Sequence, residues 1–315
     1  MLPLTTTRLT KFYGNRPVVN SVNLAIPSGC VYGLLGRNGA GKSTLIKMLM
    51  GMVQPDAGEA TLLGHNVAEM PAEVRQRIAY IAEGHPLYDW MTIQQAIDFV
   101  APFYTRWNGR LVDQIIDHFE LPRRGKLRRL SNGQRAQVSL ALAVAPEPEL
   151  LVLDDPTLGL DTVVRRDFLE SLIQIIQRKG RTILFSSHIL GDVERIADRI
   201  GVMVDGVLRV DCPTEHFRES IKLVTLEFRG VPPDWPGGGG VVSSRHVGSN
   251  LELITVGFDA EQRELAESLE PLAIDVLDLN LEDAFIEYTR GPKRSLPLFV
   301  TESTDDSYAR PQGVA

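Results

Sequence analysis

Gly36-Arg37-Asn38-Gly39-Ala40-Gly41-Lys42-Ser43 is the stretch on which the fold turns. It has the spacing G-x-x-x-x-G-K-S, with the apolar run Val31–Leu35 before it and a helical pattern from Lys42 to Met52 after it. That strand–loop–helix setting separates a phosphate-binding loop from a chance glycine-rich turn. Glycines let the backbone wrap a polyphosphate with its N–H groups pointing inward, and the helix N-terminus adds partial positive charge. Lys42 is placed to reach the β- and γ-phosphates, and the Ser43 hydroxyl to ligate Mg²⁺. The loop therefore predicts a nucleoside triphosphate site using Gly36, Asn38, Gly39, Ala40, Gly41, Lys42, Ser43 and Thr44.

A second acidic element fits the first. Leu150-Leu151-Val152-Leu153-Asp154-Asp155 sets two carboxylates after four apolar residues, as at the C-terminal edge of a buried parallel strand. Ligands of open α/β sheets bind at that edge. Asp154 is expected to hold Mg²⁺, directly or through water, and Asp155 to face the attacking water.

Working outward, Thr5–Lys11 and Val18–Ile26 read as an antiparallel pair turning at Gly14-Asn15, with Gly58–Leu63 a second hairpin-like stretch. From Glu73 to Glu120 the pattern is mainly helical, with amphipathic segments Ile93–Tyr104 and Arg110–Phe119 and a short strand Ile78–Ile81. Ser131 reads as the N-cap of a helix ending near Ala145, before Pro146 and Pro148. Strand Leu150–Leu153, helix Thr162–Lys179, strand Thr182–Phe185, helix Ile189–Asp198 and strand Ile200–Val204 then alternate, the sign of parallel α/β architecture. Beyond Cys212-Pro213 the pattern changes to strands Lys222–Arg229, Leu251–Phe258 and Ile274–Leu279 and helices Glu261–Leu269 and Leu281–Thr289, with a flexible turn at Gly237–Gly240. The expected layout is a nucleotide-binding domain over 1–220 with a helical subdomain near 88–148, a small α+β domain over 221–291, and a disordered tail over 292–315.

Composition narrows the function. The 315 residues carry 33 Lys+Arg against 40 Asp+Glu, a net charge of −7, which speaks against a general nucleic-acid binder. Hydrophobic residues at 43% suffice for a sizeable core. Cys30 and Cys212 have no metal-ligand spacing and read as buried, reduced thiols of a cytosolic protein. The opening residues do not form a signal peptide, and no apolar run approaches the roughly 20 residues of a membrane span.

Leu130-Ser131-Asn132-Gly133-Gln134, together with the two elements above and His188 after Ser186-Ser187, resembles the ATP-binding-cassette ATPases that drive membrane transporters. The family pentapeptide is L-S-G-G-Q, and this chain differs at Asn132. The resemblance covers about Leu4 to Cys212 and implies a phosphate-loop cassette: a mixed sheet, an antiparallel β subdomain and a helical subdomain. It also implies roles. Tyr13 matches the aromatic that stacks on adenine; a core tyrosine on an edge strand is the alternative. Ser131, Gly133 and Gln134 match the signature that touches the γ-phosphate bound to the opposite cassette, so two ATP molecules lie between two chains. Asp161, in Gly159-Leu160-Asp161, matches the loop crossing that interface, or is simply a helix N-cap. His188 matches the histidine that hydrogen-bonds the γ-phosphate and positions the water.

The sequence departs from the family in three places. The residue after the magnesium-binding Asp is usually Glu, and here it is Asp155; the carboxylate retracts by about 1–1.5 Å, and misplacement on that scale costs about 10²-fold in rate. Slow hydrolysis and a long-lived ATP-closed dimer follow as an expectation, unless the local backbone restores the geometry. Glu83, in Tyr80-Ile81-Ala82-Glu83-Gly84, replaces the usual Gln of a loop that ligates Mg²⁺ and touches the membrane partner; it is either a catalytic and metal-binding carboxylate or a surface residue. Asn132 is among the least costly non-glycine residues if its position needs positive φ.

Two further features are open or bland. Arg123–Arg129 is either a contact with the transporter subunit or lipid headgroups, or a solvated basic face. Met48, Met50 and Met52 read as core filler. The resemblance, with the looser match of Leu281-Glu282-Asp283-Ala284-Phe285 to bacterial exporter cassettes, predicts an ATP-hydrolysing subunit at the inner face of the membrane. Its partners would be a separate multi-span permease and a second cassette, identical or different, with no nucleic acid expected. The alternatives are a soluble cassette ATPase acting on ribosomes or DNA, and a weakly hydrolysing regulatory subunit.

Overall fold

The computed structural model describes residues 2–177, 180–237, 240–290 and 299–300. The chain divides into two compact units, Met1–Leu208 and Arg209–Ala315.

The first unit opens with β1 (Leu4–Tyr13) and β2 (Arg16–Ile26), then β3 (Val31–Leu35), α1 (Lys42–Leu49), β4 (Ala57–Leu62) and β5 (His65–Asn66). β1 pairs antiparallel with both β2 and β4, and the resulting sheet runs in the order β2-β1-β4-β5. α2 (Ala72–Arg75), β6 (Ile78–Ile81), α3 (Ile93–Val100), α4 (Gly109–His118) and α5 (Asn132–Val144) follow. β7 (Leu150–Leu153), α6 (Thr162–Gln177), β8 (Thr182–Ser187), α7 (Leu190–Ile196) and β9 (Arg199–Val204) complete the unit. These strands form a parallel core in the order β9-β3-β8-β7-β6. The parallel register explains the composition of β3 and β7: all of their residues are buried, so they carry continuous apolar runs rather than alternation.

One apolar cluster joins the antiparallel sheet, α1 and the parallel core through Leu4, Ile26, Leu34, Leu45, Leu62, Leu150, Val152 and Leu184. Each such side chain contributes about 1.5–3 kcal/mol by leaving water, so the loop between β3 and α1 rests on a rigid base. The helical stretch packs its own buried stripes, Ile93 and Ala96 on α3, Val112 and Ile116 on α4, and Ala136 and Leu140 on α5. α3 and α5 both begin with a capping box, Thr92 with Gln95 and Ser131 with Gln134, which satisfies their first backbone donors.

The boundaries differ from expectation where a local device intervenes. α1 stops at Leu49 because Gly51 turns into the left-handed region at φ 69°. Met52 therefore lies beyond the helix and is 60% exposed, whereas Met48 is buried as expected. α3 ends at Val100 instead of Tyr104, since Pro102 has no N–H to continue the helix and a single 3₁₀ turn, Ala101–Phe103, takes over.

β10 (Val207–Pro213) crosses the boundary, and the second unit continues with α8 (Thr214–Ser220), β11 (Ile221–Glu227), β12 (Val241–Val247), β13 (Asn250–Val256), α9 (Ala260–Glu267), β14 (Ala273–Asp278), α10 (Leu281–Arg290) and β15 (Phe299–Val300). Most of it is an antiparallel sheet, β12-β13-β11-β14, with Val224, Leu226, Leu251, Leu253 and Ala266 as its core. α8 meets α10 through Phe217 and Tyr288, edge to face at 6.0 Å. The middle of the Gly237–Gly240 turn lies outside the described residues. So does the 292–315 tail, except β15, which pairs parallel with Val210 and Asp211. Cys30 and Cys212 are buried and are not joined in a disulfide.

Candidate functional site

The site forms where the C-terminal ends of β3, β6, β7 and β8 deliver their loops. Lys42, at the first turn of α1, is buried and donates from Nζ to the Gly36 carbonyl oxygen at 2.7 Å. Gly41 caps α1 at φ 103°, with no side chain on the helix's first N–H groups. A Cβ here would stand 2.3 Å from the Val18 carbonyl oxygen, so glycine is required both by conformation and by space. Val18, Asn38, Gly39, Ala40, Gly41, Lys42, Ser43, Thr44, Glu83 and Asp155 line a cavity of about 270 Å³ over this loop.

Asp154 is 1% exposed, and its Oδ1 accepts from the hydroxyls of Ser43 at 3.0 Å and Ser186 at 2.9 Å. These donors compensate a carboxylate that burial would otherwise penalise. Ser186 Oγ also accepts from the Asp155 backbone N–H at 2.9 Å, which ties the two acids to the end of β8. Asp155 Oδ2 sits 2.8 Å from His188 Nδ1, while Oδ1 is buried with no hydrogen-bond partner among the described residues. The next residues are held as well. Thr157 donates to the buried Asp192 carboxylate at 2.6 Å, and Arg165 lies 3.5 Å from Asp192. Burial raises the Asp192 carboxyl above the usual range, against the Thr157 hydrogen bond and the Arg165 charge.

The local field is negative. Burial pushes the Lys42 ammonium down, and the carboxylates of Asp155, Asp154 and Glu83 oppose that shift. The Tyr80 phenol is pushed up to about 12 by burial and then by the charges of Asp154 and Glu83. A site with one buried lysine, an N-terminal helix dipole and clustered carboxylates suits a polyanion that arrives with a cation.

The structure thus brings together Lys42, Ser43, Glu83, Asp154, Asp155 and His188. It does not place Ser131, Gly133, Gln134, Asp161 or Tyr13 on this cavity. Ser131 is an exposed N-cap whose Oγ accepts from Gln134 N–H at 3.2 Å. Gly133 is buried under α6, where a Cβ would meet Val164 Cγ1 at 2.5 Å. Asn132 is the first residue of α5 and lies outside the positive-φ residues, so no left-handed backbone has to be accommodated there. Asp161 Oδ1 accepts from the N–H groups of Val163 and Val164 at 3.0 Å, the geometry of an N-cap. Tyr13 is 53% exposed at the end of β1, with Lys11 Nζ 6.0 Å from its ring centre. Within the basic run, Arg123 pairs with Asp113 and Lys126 donates to the Trp90 carbonyl oxygen, while Arg124, Arg128 and Arg129 remain exposed.

Sequence reasoning missed Ser186, Thr157, Asp192 and His85. Ser186 carried a signal, as a hydroxyl two residues before His188 on a strand beside the acidic one. His85 is 3% exposed with Nε2 2.9 Å from the Pro156 carbonyl oxygen, and its type and position gave no cue.

Fold and site together define a phosphate-loop nucleoside triphosphatase. The model of the ABC transporter family matches residues 19–158. The Nod factor export ATP-binding protein I of Rhizobium meliloti (strain 1021) is 35% identical over 290 residues, covering 89% of this chain and 86% of that protein. The bacitracin transport ATP-binding protein BcrA of Bacillus licheniformis is 32% identical over 226 residues, covering 71% and 74%. A solved ATP-binding subunit of an ABC transporter superposes with a TM-score of 0.63 at 29% identity, covering 69% of this chain and 92% of that one. The chain belongs to the ABC transporter family, as an ATP-binding and ATP-hydrolysing subunit. Among the described residues no helix is long and apolar enough to cross a membrane.

Proposed function

We propose that this chain works as one of two cassettes that close on ATP and, through a separate membrane permease, drive export at the inner face of the membrane. The observation that carries the reading is a separation. Lys42, Ser43 and Asp155 line one cavity, with Asp154 bonded to Ser43 and His188 to Asp155, while the Ser131 helix start lies on exposed surface outside it. A site with all of these groups needs a second chain. Lys42 and the loop N–H groups grip the β- and γ-phosphates, and Ser131 and Gly133 of the opposite cassette cover the γ-phosphate, with Gln134 holding the Ser131 turn. Tyr13 stacks on adenine and Asp161 orders the loop between the two sites. Asp155, paired with His188, takes up the proton of the attacking water.

The residues present fit Mg²⁺. Ser43 and Asp154 offer hard oxygen donors and Glu83 lines the same cavity, yet no group of three metal-binding side chains exists among the described residues. That donor set suits an ion held by one or two side chains, waters and substrate phosphates. When bound, the ion would neutralise phosphate charge. Glu83 then adds a carboxylate on the same side as Asp155, and Glu83→Gln is expected to lower turnover more in the native chain than in an Asp155→Glu background. Equal losses in steady-state ATPase assays of the two backgrounds would contradict a shared task.

A partner face lies beside the Glu83 loop. Tyr88, Trp90, Phe99 and Phe103 are exposed and touch in a row, with ring centres 5.6–6.2 Å apart. A contiguous aromatic surface of this kind supports a protein contact. The relative named for Nod factor export supports export as the direction.

Mixing tests the shared site. Lys42→Ala and Ser131→Ala chains are each expected to be nearly inactive. Combined, they should recover roughly one quarter of native ATPase, because random pairing makes half the dimers mixed and each mixed dimer holds one intact site. Absence of complementation, with a native chain that stays monomeric in magnesium-free ATP by light scattering, would overturn the two-cassette reading.

A further inference from the structure

His85 belongs to neither the phosphate loop nor the acidic strand, yet it joins their surroundings. After β6 the chain turns through Ala82, Glu83 and Gly84, and the His85 N–H closes the turn on the Ala82 carbonyl at 3.2 Å. Glu83, Gly84 and Pro86 are exposed, whereas His85 points inward with 3% of its surface accessible. Its backbone sits at φ 49°, a left-handed conformation that non-glycine residues disfavour. What holds it there is a ring packed edge-on to Phe168 at 6.3 Å and a hydrogen bond to Pro156.

The chemistry of that bond has one solution. A carbonyl oxygen only accepts, so Nε2 carries the hydrogen and donates it. The other nitrogen, Nδ1, is buried with no partner among the described residues, as fits the bare nitrogen of a neutral ring. Pro156 directly follows Asp155, and Thr157 is fastened to Asp192 on the far side. The peptide after the hydrolytic acid is therefore pinned at two successive residues. One of the two pins comes from the loop that carries Glu83.

We propose that His85 is a positioning residue for hydrolysis: its Nε2–H, donated to the Pro156 carbonyl, sets the height of the Asp155 carboxylate and makes movement of the Glu83 loop move that carboxylate. The inference rests on the hydrolytic role proposed for Asp155. Binding of ATP does not pass through this bond, because Lys42, Ser43 and the loop N–H groups hang from β3 and α1. Its loss is felt in the chemical step alone.

The test compares donors at position 85 in the full chain. His85→Phe keeps a ring against Phe168 and removes the N–H; His85→Gln keeps an N–H at comparable reach; His85→Leu serves if phenylalanine does not fold. A misplacement approaching 1 Å costs up to about 10²-fold, so His85→Phe should lose about tenfold or more in kcat. The KM for ATP and the affinity for a fluorescent ATP analogue should stay within about twofold. His85→Gln should recover most of the rate. Three results would each overturn the proposal: a kcat for the apolar variants within twofold of native, a KM that rises in step with the loss, or glutamine no better than phenylalanine. Asp155→Asn, assayed alongside, separates the two ideas. If it loses turnover while His85→Phe does not, the positioning role falls and the role of Asp155 stands; if it keeps turnover, both fall.

Discussion

Replacing Lys42 by alanine should lower ATP turnover by about 10²–10³-fold, the scale on which a donor to developing phosphate charge acts. The loss follows from where the ammonium sits. It is buried beside Asp154, Asp155 and Glu83, carboxylates that already oppose the burial penalty on its charge. Without it, a triphosphate would enter a cavity whose remaining side-chain charges are acidic, so binding and chemistry both suffer. Arginine should not rescue. Its planar guanidinium is larger than an ammonium and cannot take the position from which Nζ reaches the Gly36 carbonyl at 2.7 Å. Steady-state ATPase and fluorescent-nucleotide titration on Lys42→Ala and Lys42→Arg check this. Turnover within about fivefold of native in either variant would remove Lys42 from the phosphate site.

The site was legible to the degree that its chemistry is carried by local spacing. Gly36–Ser43 is a continuous segment whose loop and helix form from neighbouring residues, and Asp154 and Asp155 sit where a fully buried strand must end. His188 was reachable for the same reason, one residue past β8. Asp192 was not, because its meaning lies in a contact with Thr157, 35 positions away, that no periodicity encodes, and Ser186 was legible as a hydroxyl near His188 but not as the partner of Asp154. The same limit shaped the fold. β12, Val241–Val247, carries Ser243, Ser244, Arg245 and His246 on an edge of its sheet and is mostly exposed or half-exposed, so it shows no apolar alternation to read. β10 and α8 were passed over because Pro213 reads as a stop, although it in fact ends one element and caps the next. Helix ends moved for reasons visible only locally, at Gly51 and Pro102.

Asp155 is where the sequence departs from its family and where the structure sharpens the consequence. Its backbone stands at φ 46°, in the left-handed region that Asn and Asp enter more readily than longer side chains. Asparagine is therefore a clean probe of charge. Asp155→Asn should fold as the native chain does and bind ATP with unchanged affinity, while turnover falls about 10²–10⁴-fold for want of a base. Because ATP is then not consumed, the variant should remain a dimer in MgATP for longer than the native chain does. Glutamate probes reach. One more methylene carries the carboxylate about 1–1.5 Å further, so Asp155→Glu should raise kcat, whereas the less tolerant backbone should cost about 1 kcal/mol, or about 2–4 °C in Tm for a unit of this size. The opposite signs are the diagnostic, since a simple loss or gain of structure would move rate and stability together. The hydrogen bond that His188 Nδ1–H donates to Asp155 Oδ2 at 2.8 Å sets the limit on the gain, because a longer acid that abandons the histidine gives up its orienting partner. An Asp155→Glu rate equal to or below native, measured with ATP saturating and Tm recorded on the same preparation, would mean that the short acid is already correctly placed and that slow hydrolysis is not built into this chain.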